Sequence, residues 1–395
     1  MSTHADLIRE AMAAHKAGRY AEAEAGYRVV LRDNPADAKA HYFLGLLHFH
    51  RGNMDAATDS VAQALSIAPG NAQAWNTFGG MLVAAGRVSE AKKAYEQAAS
   101  VAPQSGEGWY NLGICLRDEG DVEGAIQTLR EATKRDPNFH RSYGALAALL
   151  YQTGELKEAS SLYVEWAARD PSNPYAAHMV AASTGQNTPE RASNEYVKTH
   201  FDEFAPRFDA SLARLEYKAP ALVAEALANA RSEGVLVALD AGCGTGLCGP
   251  LIRGACRTLV GVDLSEQMLA RAKARDVYDE LVTSELSAFM RSRPNAFDAV
   301  VAADTLCYFG VLAEPLEAAR AALNSQGVLI ITLETLVSKD VAFNLEPHGR
   351  YTHSESYVRR ELARAGFEVK SLAQHSVRRE GERDVPGWLV VAQSA

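Results

Sequence analysis

Apolar and small residues return at fixed places every 34 positions through the first 173 residues. One unit reads Trp75, Phe78, Gly79 and Leu82, then Ala91, Tyr95, Ala98 and Pro103. The next reads Trp109, Leu112, Gly113 and Leu116, then Ala125, Leu129, Ala132 and Pro137. The pattern predicts two helices per unit: Gly on the first and Ala on the second allow close approach, and the large apolar positions fill the space between units. Gly18, Gly52, Gly86, Gly120 and Gly154 end the first helices, and Pro35, Pro69, Pro103, Pro137 and Pro171 close the second. Beyond residue 173 the pattern changes. Short apolar runs at 235–239, 258–262, 280–283, 297–302 and 327–333 alternate with helical stretches, which predicts a parallel sheet flanked by helices. Runs at 367–369 and 389–392 predict a closing antiparallel pair.

A 34-residue helix–turn–helix period identifies repeats of the tetratricopeptide type, five in register over residues 1–173. The second unit has His41 in the Trp position and keeps Leu44, Gly45, Ala57 and Ala64; the fifth keeps Tyr143, Leu146, Ala159 and Tyr163, with Ala147 in place of Gly. The first, near residues 4–37, diverges most, as a terminal repeat should. Stacked repeats present a concave groove, here with Tyr42, Phe49, His50, Asn76, Tyr110, Arg117 and Tyr151 as candidates for its lining or for packing beneath it. The resemblance implies a protein or peptide partner, and exposed repeat ends would support a homodimer.

Composition narrows the partners. Of the net charge of −9, −5 falls in residues 1–190 (17 basic, 22 acidic) and −4 in the remainder (23 basic, 27 acidic). With no basic block, nucleic acid is not expected as the main partner. Cys115, Cys243, Cys248, Cys256 and Cys307 form neither a CxxC pair nor a zinc spacing, and the N-terminus is too polar for a signal peptide, which together point to the cytoplasm. No apolar run reaches the length of a membrane span.

Residues 174–230 are predicted to hold a capping helix, a polar turn and an aromatic-rich segment, YVKTHFDEFAPRFD at 196–209. That segment reads either as a lid over a cofactor pocket or as a helix docking the repeats.

The third part, residues 231–395, carries the chemistry. Its first strand ends in Asp240 and runs into Gly242-x-Gly244-x-Gly246; its second ends in Asp263, within Gly-Val-Asp-Leu-Ser. Glycines at such a turn allow sharp reversal and close backbone approach to a ligand, and a carboxylate at the next strand end can accept from both hydroxyls of a ribose. These strings resemble the class I S-adenosylmethionine-dependent methyltransferases. The resemblance implies a Rossmann-like, mostly parallel seven-stranded sheet, giving an α + α/β chain overall. It implies S-adenosylmethionine as cofactor, with Asp240, Ala241, Gly242, Cys243, Gly244 and Gly246 near its methionine and ribose. Asp263 would hold the ribose, Leu264 and Met268 would lie beside the adenine, and Glu285 with Leu286 would follow strand three. Asp304 opens the segment after strand four, DTLCY at 304–308, where the family places cofactor and substrate contacts. Repeats, aromatic segment and domain together resemble a bacterial-type family of tetratricopeptide methyltransferases, with the recurring strings FDEFAPRFD at 201–209 and GRYTH at 349–353.

On the acceptor side, His353 is a candidate base, Arg350 a clamp for a carboxylate or phosphate, and Tyr308 a group facing the transferring methyl. Each has a structural alternative: a helix cap, a surface ion pair, or packing. No metal is expected, since Asp304 stands without obvious Asp or Asn companions. Methyl transfer to oxygen or nitrogen, with the repeats recruiting a protein-linked substrate, is the leading reading. Against it stand an interaction scaffold whose α/β domain binds cofactor without turnover, and an NAD-dependent dehydrogenase using the G-x-G-x-x-G at 244–249.

Overall fold

In the computed structural model, which describes residues 3–230, 235–338, 340–381 and 383–394, the repeat period becomes five helix pairs, running from His4–Lys16 with Tyr20–Asp33 to His140–Thr153 with Leu156–Arg169. Each first helix ends on its glycine, at φ between +75° and +87°. The chain then reverses through bonds such as Arg87 N–H to Leu82 O (2.8 Å) and Asp121 N–H to Leu116 O (2.9 Å), which satisfy carbonyls that the helix end leaves open. The proline and the aromatic six residues later also act together. The indole N–H of Trp75 donates to the Pro69 carbonyl (2.8 Å) and that of Trp109 to Pro103 (3.2 Å), while His41 Nε2 lies 2.9 Å from the Pro35 carbonyl. Histidine holds the Trp position because its ring also carries an N–H donor.

Several groove candidates pair within the array. Tyr42 Oη bonds Thr77 Oγ1 (3.0 Å), Asn111 donates to Asn76 (3.2 Å), Tyr110 lies under the Arg141 guanidinium (4.7 Å), Arg117 pairs with Asp118 (2.7 Å), and His50 Nδ1 is 2.8 Å from His15 Nε2. Phe49 and Tyr151 are half-buried.

The chain divides into two units at Arg169/Asp170. Helices Pro174–Thr184, Asn194–Phe204, Phe208–Arg214 and Ala219–Ala230 therefore belong to the second unit with the sheet rather than forming a linker of their own. The expected boundary at 231 lies outside the described residues. The strands are β1 (Leu236–Ala241), β2 (Cys256–Asp263), β3 (Glu280–Thr283), β4 (Phe297–Ala302), β5 (Leu323–Thr335), β6 (Phe343–Leu345), β7 (Tyr351–His353), β8 (Phe367–Glu380) and β9 (Arg383–Ser394). A seven-strand run, β3-β2-β1-β4-β5-β9-β8, is parallel through β5 and closes with the antiparallel β9 and β8. The hairpin β6–β7 joins the end of β5 as an addition, pairing Thr352 with Glu334 and His353 with Thr335. Strands β3 and β4 match the apolar runs; β8 and β9 extend well past theirs, because their outer halves carry Arg378, Arg379, Glu380, Arg383 and Asp384.

Both faces of the sheet are covered, as a parallel sheet requires. Leu239, Val260, Val300 and Ile331 pack into one core, and the alternate residues Ala238, Leu259, Val301 and Ile330 into the other. The order turns back between β1 and β4, and in such sheets the crevice beyond the strand ends at this point is where ligands bind.

The repeat packing gives a paired prediction. A Cβ on Gly79 would lie 2.4 Å from the Tyr95 ring, whereas one on Gly80 would meet only the Tyr95 hydroxyl at 3.9 Å. Gly79→Ala is expected to destabilise the repeats by about 1–3 kcal/mol through overpacking, and Gly80→Ala to stabilise them by roughly 0.5–1 kcal/mol through helix propensity. Urea unfolding of the full chain, followed by circular dichroism, reads both.

Candidate functional site

The loop after β1 is shaped by glycines at positive φ: Gly242 (+74°), Gly244 (+56°) and Gly246 (+81°). The N–H groups of Gly242 and Cys243 both donate to the Val262 carbonyl, at 2.8 and 3.0 Å, and curl the loop over the end of β2. Gly244 N–H then donates to Asp263 Oδ2 and Ser265 N–H to Asp263 Oδ1, each at 2.9 Å. The Asp263 carboxylate thus locks two strand ends together and keeps lone pairs for further donors. Burial raises its pKa, with the backbone N–H groups opposing. A Cβ on Gly244 would stand in open space, whereas one on Gly242 would strike Thr305 at 2.3 Å. Thr305 donates to the Ala241 carbonyl (2.9 Å), which fastens the loop after β4 to the same corner.

These loops open onto a cavity lined by Gly242, Gly244, Asp263, Leu264, Glu285, Leu286 and Asp304, together with Tyr308 and Arg350. Glu285 caps the helix Leu286–Arg291 through Ala288 N–H (2.7 Å) and pairs with Arg191 (3.1 Å). Five residues expected at the cofactor do not line the cavity. Asp240 is buried beneath the loop, where Tyr278 Oη donates to its Oδ2 at 2.6 Å; burial pushes its pKa up to about 7, the Tyr278 bond opposing. Ala241, Cys243 and Met268 are buried, and Gly246 faces Tyr278, which a Cβ would meet at 2.9 Å.

His353 is the clearest correction. It is fully buried, stacks on Tyr357 at an 8° interplanar angle and places Nε2 2.8 Å from the Phe309 carbonyl. Burial pushes its pKa down to about 4. It clamps β7 to the loop after β4 and does not line the cavity. Arg350 does line it, but its Nη1 is engaged by the buried Glu334 at 2.9 Å. Tyr308 lies against Arg350, with its hydroxyl pKa raised by burial.

The aromatic segment supplies the other wall. His200, Phe201, Phe204, Phe208, Leu212, Leu215 and Tyr217 all line the cavity. Two carboxylates of the same segment tie it down: Asp202 accepts from Ser265 Oγ (2.6 Å), and Asp209 accepts from Thr245 Oγ1 and Arg275 Nη2, each at 2.5 Å. The preceding stretch is held from the opposite side, with Ala192 N–H donating to the Tyr308 carbonyl and Gly310 N–H to that of Glu190, both at 2.8 Å. The alternation in FDEFAPRFD is therefore structural, with phenylalanines turned to the cavity and aspartates to the loops. His200 is held neutral, its pKa pushed down to about 4 by burial and then by the Arg350 charge.

Sequence reasoning missed Arg378, Glu334, Arg191, His200 and Tyr278. Arg378 lies in the polar stretch of β8, and no motif marks it. Among the described residues, no group of three or more His, Cys, Asp or Glu side chains is placed to hold a metal ion, and no helix is long and apolar enough to cross a membrane.

Residues 239–331 match the family model of a methyltransferase domain. Residues 8–72 and 82–138 match one model of the tetratricopeptide repeat, and 116–182 a second. The chain thus joins tetratricopeptide repeats to a methyltransferase domain. Among curated proteins, none matches it. Similar solved structures include MamA, at 19% identity and a TM-score of 0.37, covering 41% of this chain and 94% of that one. PilF of Pseudomonas aeruginosa is 18% identical with a TM-score of 0.41, covering 52% and 92%. A proposed S-adenosylmethionine dependent methyltransferase from Listeria monocytogenes is 18% identical with a TM-score of 0.35, covering 44% and 99%.

Asp240 makes the site's stability depend on pH. Its folded pKa of about 7 lies above the ordinary 3.8, so its contribution is fully present below pH 3.8 and is lost as pH rises toward 7. Asp240→Asn removes this loss while keeping an acceptor for Tyr278. Urea midpoints at pH 5 and pH 8 are expected to show the variant gaining on wild type as pH rises.

Proposed function

We propose that the protein is an S-adenosylmethionine-dependent methyltransferase, whose repeats bind a protein or peptide that brings the acceptor. The observation that carries this reading is the lock between Gly244 N–H and the Asp263 carboxylate at the turning point of the sheet, with open space over Gly244. The residues present suit the cofactor. Asp263 has lone pairs for ribose hydroxyls, Leu264 and Leu286 offer apolar surface for a purine, and the Gly244 backbone permits close approach. When bound, S-adenosylmethionine would supply an electrophilic methyl on a sulfonium.

The chain's own part is to position and to dry. Phe201, Phe204 and Phe208 exclude water and hold an acceptor in line, which supplies much of the acceleration for a displacement of this kind. With His353 off the cavity, His200 is the imidazole that reaches it, and a pKa near 4 makes it a weak base. An acceptor that arrives ionised suits such a site. The dehydrogenase reading loses support here. Gly249, the last glycine of its motif, packs under Tyr278 and opens a helix of only four residues, Gly249–Ile252, a poor cradle for a pyrophosphate.

Calorimetric titration of S-adenosylmethionine and NAD into wild type and Asp263→Ala tests the proposal. Wild type is expected to bind S-adenosylmethionine and not NAD, and the variant to bind at least about tenfold more weakly, as the loss of hydrogen bonds to a charged acceptor entails. Unchanged affinity in the variant would remove Asp263 from the site.

A further inference from the structure

We propose that the acceptor is a carboxylic acid with an apolar body, its carboxylate received by Arg378 and Arg350 and its body by the aromatic wall. The inference deepens the methyltransferase reading and rests on it for the word acceptor.

Arg378 is the residue that points there. It projects from β8, is 2% exposed and lines the cavity. Its Nη2 is held by Glu334 Oε1 and its Nε by Glu380 Oε1, each at 2.8 Å. Its third nitrogen, Nη1, is buried and has no hydrogen-bond partner among the described residues; its ion-pair contact, Asp304 Oδ2, lies 3.8 Å away on the cavity lining. A buried guanidinium N–H left without an acceptor is costly, so its retention at a cavity calls for a ligand oxygen.

Arg350 stands beside it. Both guanidinium groups bond the same oxygen, Glu334 Oε1, Arg350 at 2.9 Å and Arg378 at 2.8 Å, which sets them side by side. Asp304 accepts from Thr332 Oγ1 through Oδ1 at 2.7 Å, and its other oxygen, Oδ2, stands 3.8 Å from Arg378 Nη1, beyond hydrogen-bond reach. Glu380, also paired with Arg378, is half exposed and screened by water. The buried remainder, two guanidinium groups with the carboxylates of Glu334 and Asp304, sums to no net charge, so a single added negative charge is better matched than a dianionic phosphate. A planar carboxylate also fits guanidinium donors geometrically. The facing wall, from Phe201 and Phe204 to Phe208, Leu212 and Leu215, carries no charge and suits an alkyl or aryl body.

The test uses the full chain with octanoate and its uncharged analogue octanamide, titrated by calorimetry with and without saturating S-adenosylhomocysteine. Octanoate is expected to bind at least tenfold more tightly than octanamide. Arg378→Gln and Arg350→Gln are each expected to weaken octanoate at least tenfold while leaving octanamide and S-adenosylhomocysteine within about twofold. The wild-type comparison needs no variant, so a folding defect in either substitution leaves the test intact. Equal binding of the two probes, or binding of neither, overturns the proposal. So does a loss of S-adenosylhomocysteine affinity in the variants with octanoate unchanged, which would assign the arginines to the cofactor's own carboxylate. Failure of S-adenosylhomocysteine to bind wild type would instead overturn the methyltransferase reading, with the octanoate comparison still read in its absence.

Discussion

Glu334 ends β5 with a carboxylate that is 3% exposed, and much of the second unit is arranged around it. Burial opposes its charge, but Arg350, Arg378 and His348 hold its pKa down at about 2. The partners come from two places: Arg378 from β8, and Arg350 and His348 from the turn that enters β7. The hairpin β6–β7 pairs with β5 through only two residues, Glu334 and Thr335, so backbone bonds alone hold it weakly. The ion cluster supplies what the short ladder lacks. Such an arrangement is stable only while complete, because removing one partner of a buried pair strands the other, at about 3–5 kcal/mol.

The same cluster explains why the polar halves of β8 and β9 are long. A short closing pair would have left Arg378 beyond the sheet, whereas a 14-residue β8 carries it over the end of β5. The extension costs apolar periodicity, since the strand must place Arg378 inward while Arg379 and Glu380 face water. A sheet that ended with its apolar runs would have a crevice at its turning point but no cationic inner wall.

How much was readable from sequence follows from how local each interaction is. The repeats were readable because every contact that defines them recurs within one or two periods: glycine to carbonyl, Trp to the proline six residues before, Gly79 to Tyr95. Strand β4 was readable because it is a buried apolar run bounded by polar turns, whereas β3, a half-buried edge strand of four residues, carries a weaker signal. The glycine loop and Asp263 were readable as a motif, but which members face the cavity was not. Asp240 and Asp263 look equivalent in sequence, and only Tyr278, arriving from before β3, decides that one is plugged. His353 misled because Arg350, Tyr351 and His353 in succession resemble a reactive cluster, while the bond that fixes the imidazole comes from Phe309, 44 residues earlier. Arg378 was invisible because its partner Glu334 is likewise 44 residues away and neither sits in a motif.

The cavity therefore has a direction. At the end formed by β1 and β2, Asp263 offers only acceptors, so it suits a ligand portion rich in hydroxyl donors. At the end formed by β5, β8 and the turn before β7, Arg350 and the arm of Arg378 without a hydrogen-bond partner among the described residues offer only donors and suit an anion. Between them, the phenylalanines of the tied segment and Tyr217 leave a low-dielectric stretch in which both charges act more strongly than in water. Exchanging a hydroxyl-rich ligand and an anionic one between the two ends would set hydroxyls against guanidinium groups and a carboxylate against a carboxylate. The repulsion at the Asp263 end would then work with the lost pairing at the other. Placement is thus enforced by charge at both ends, while Asp202 and Asp209 tie the aromatic wall between them to the loops after β1 and β2.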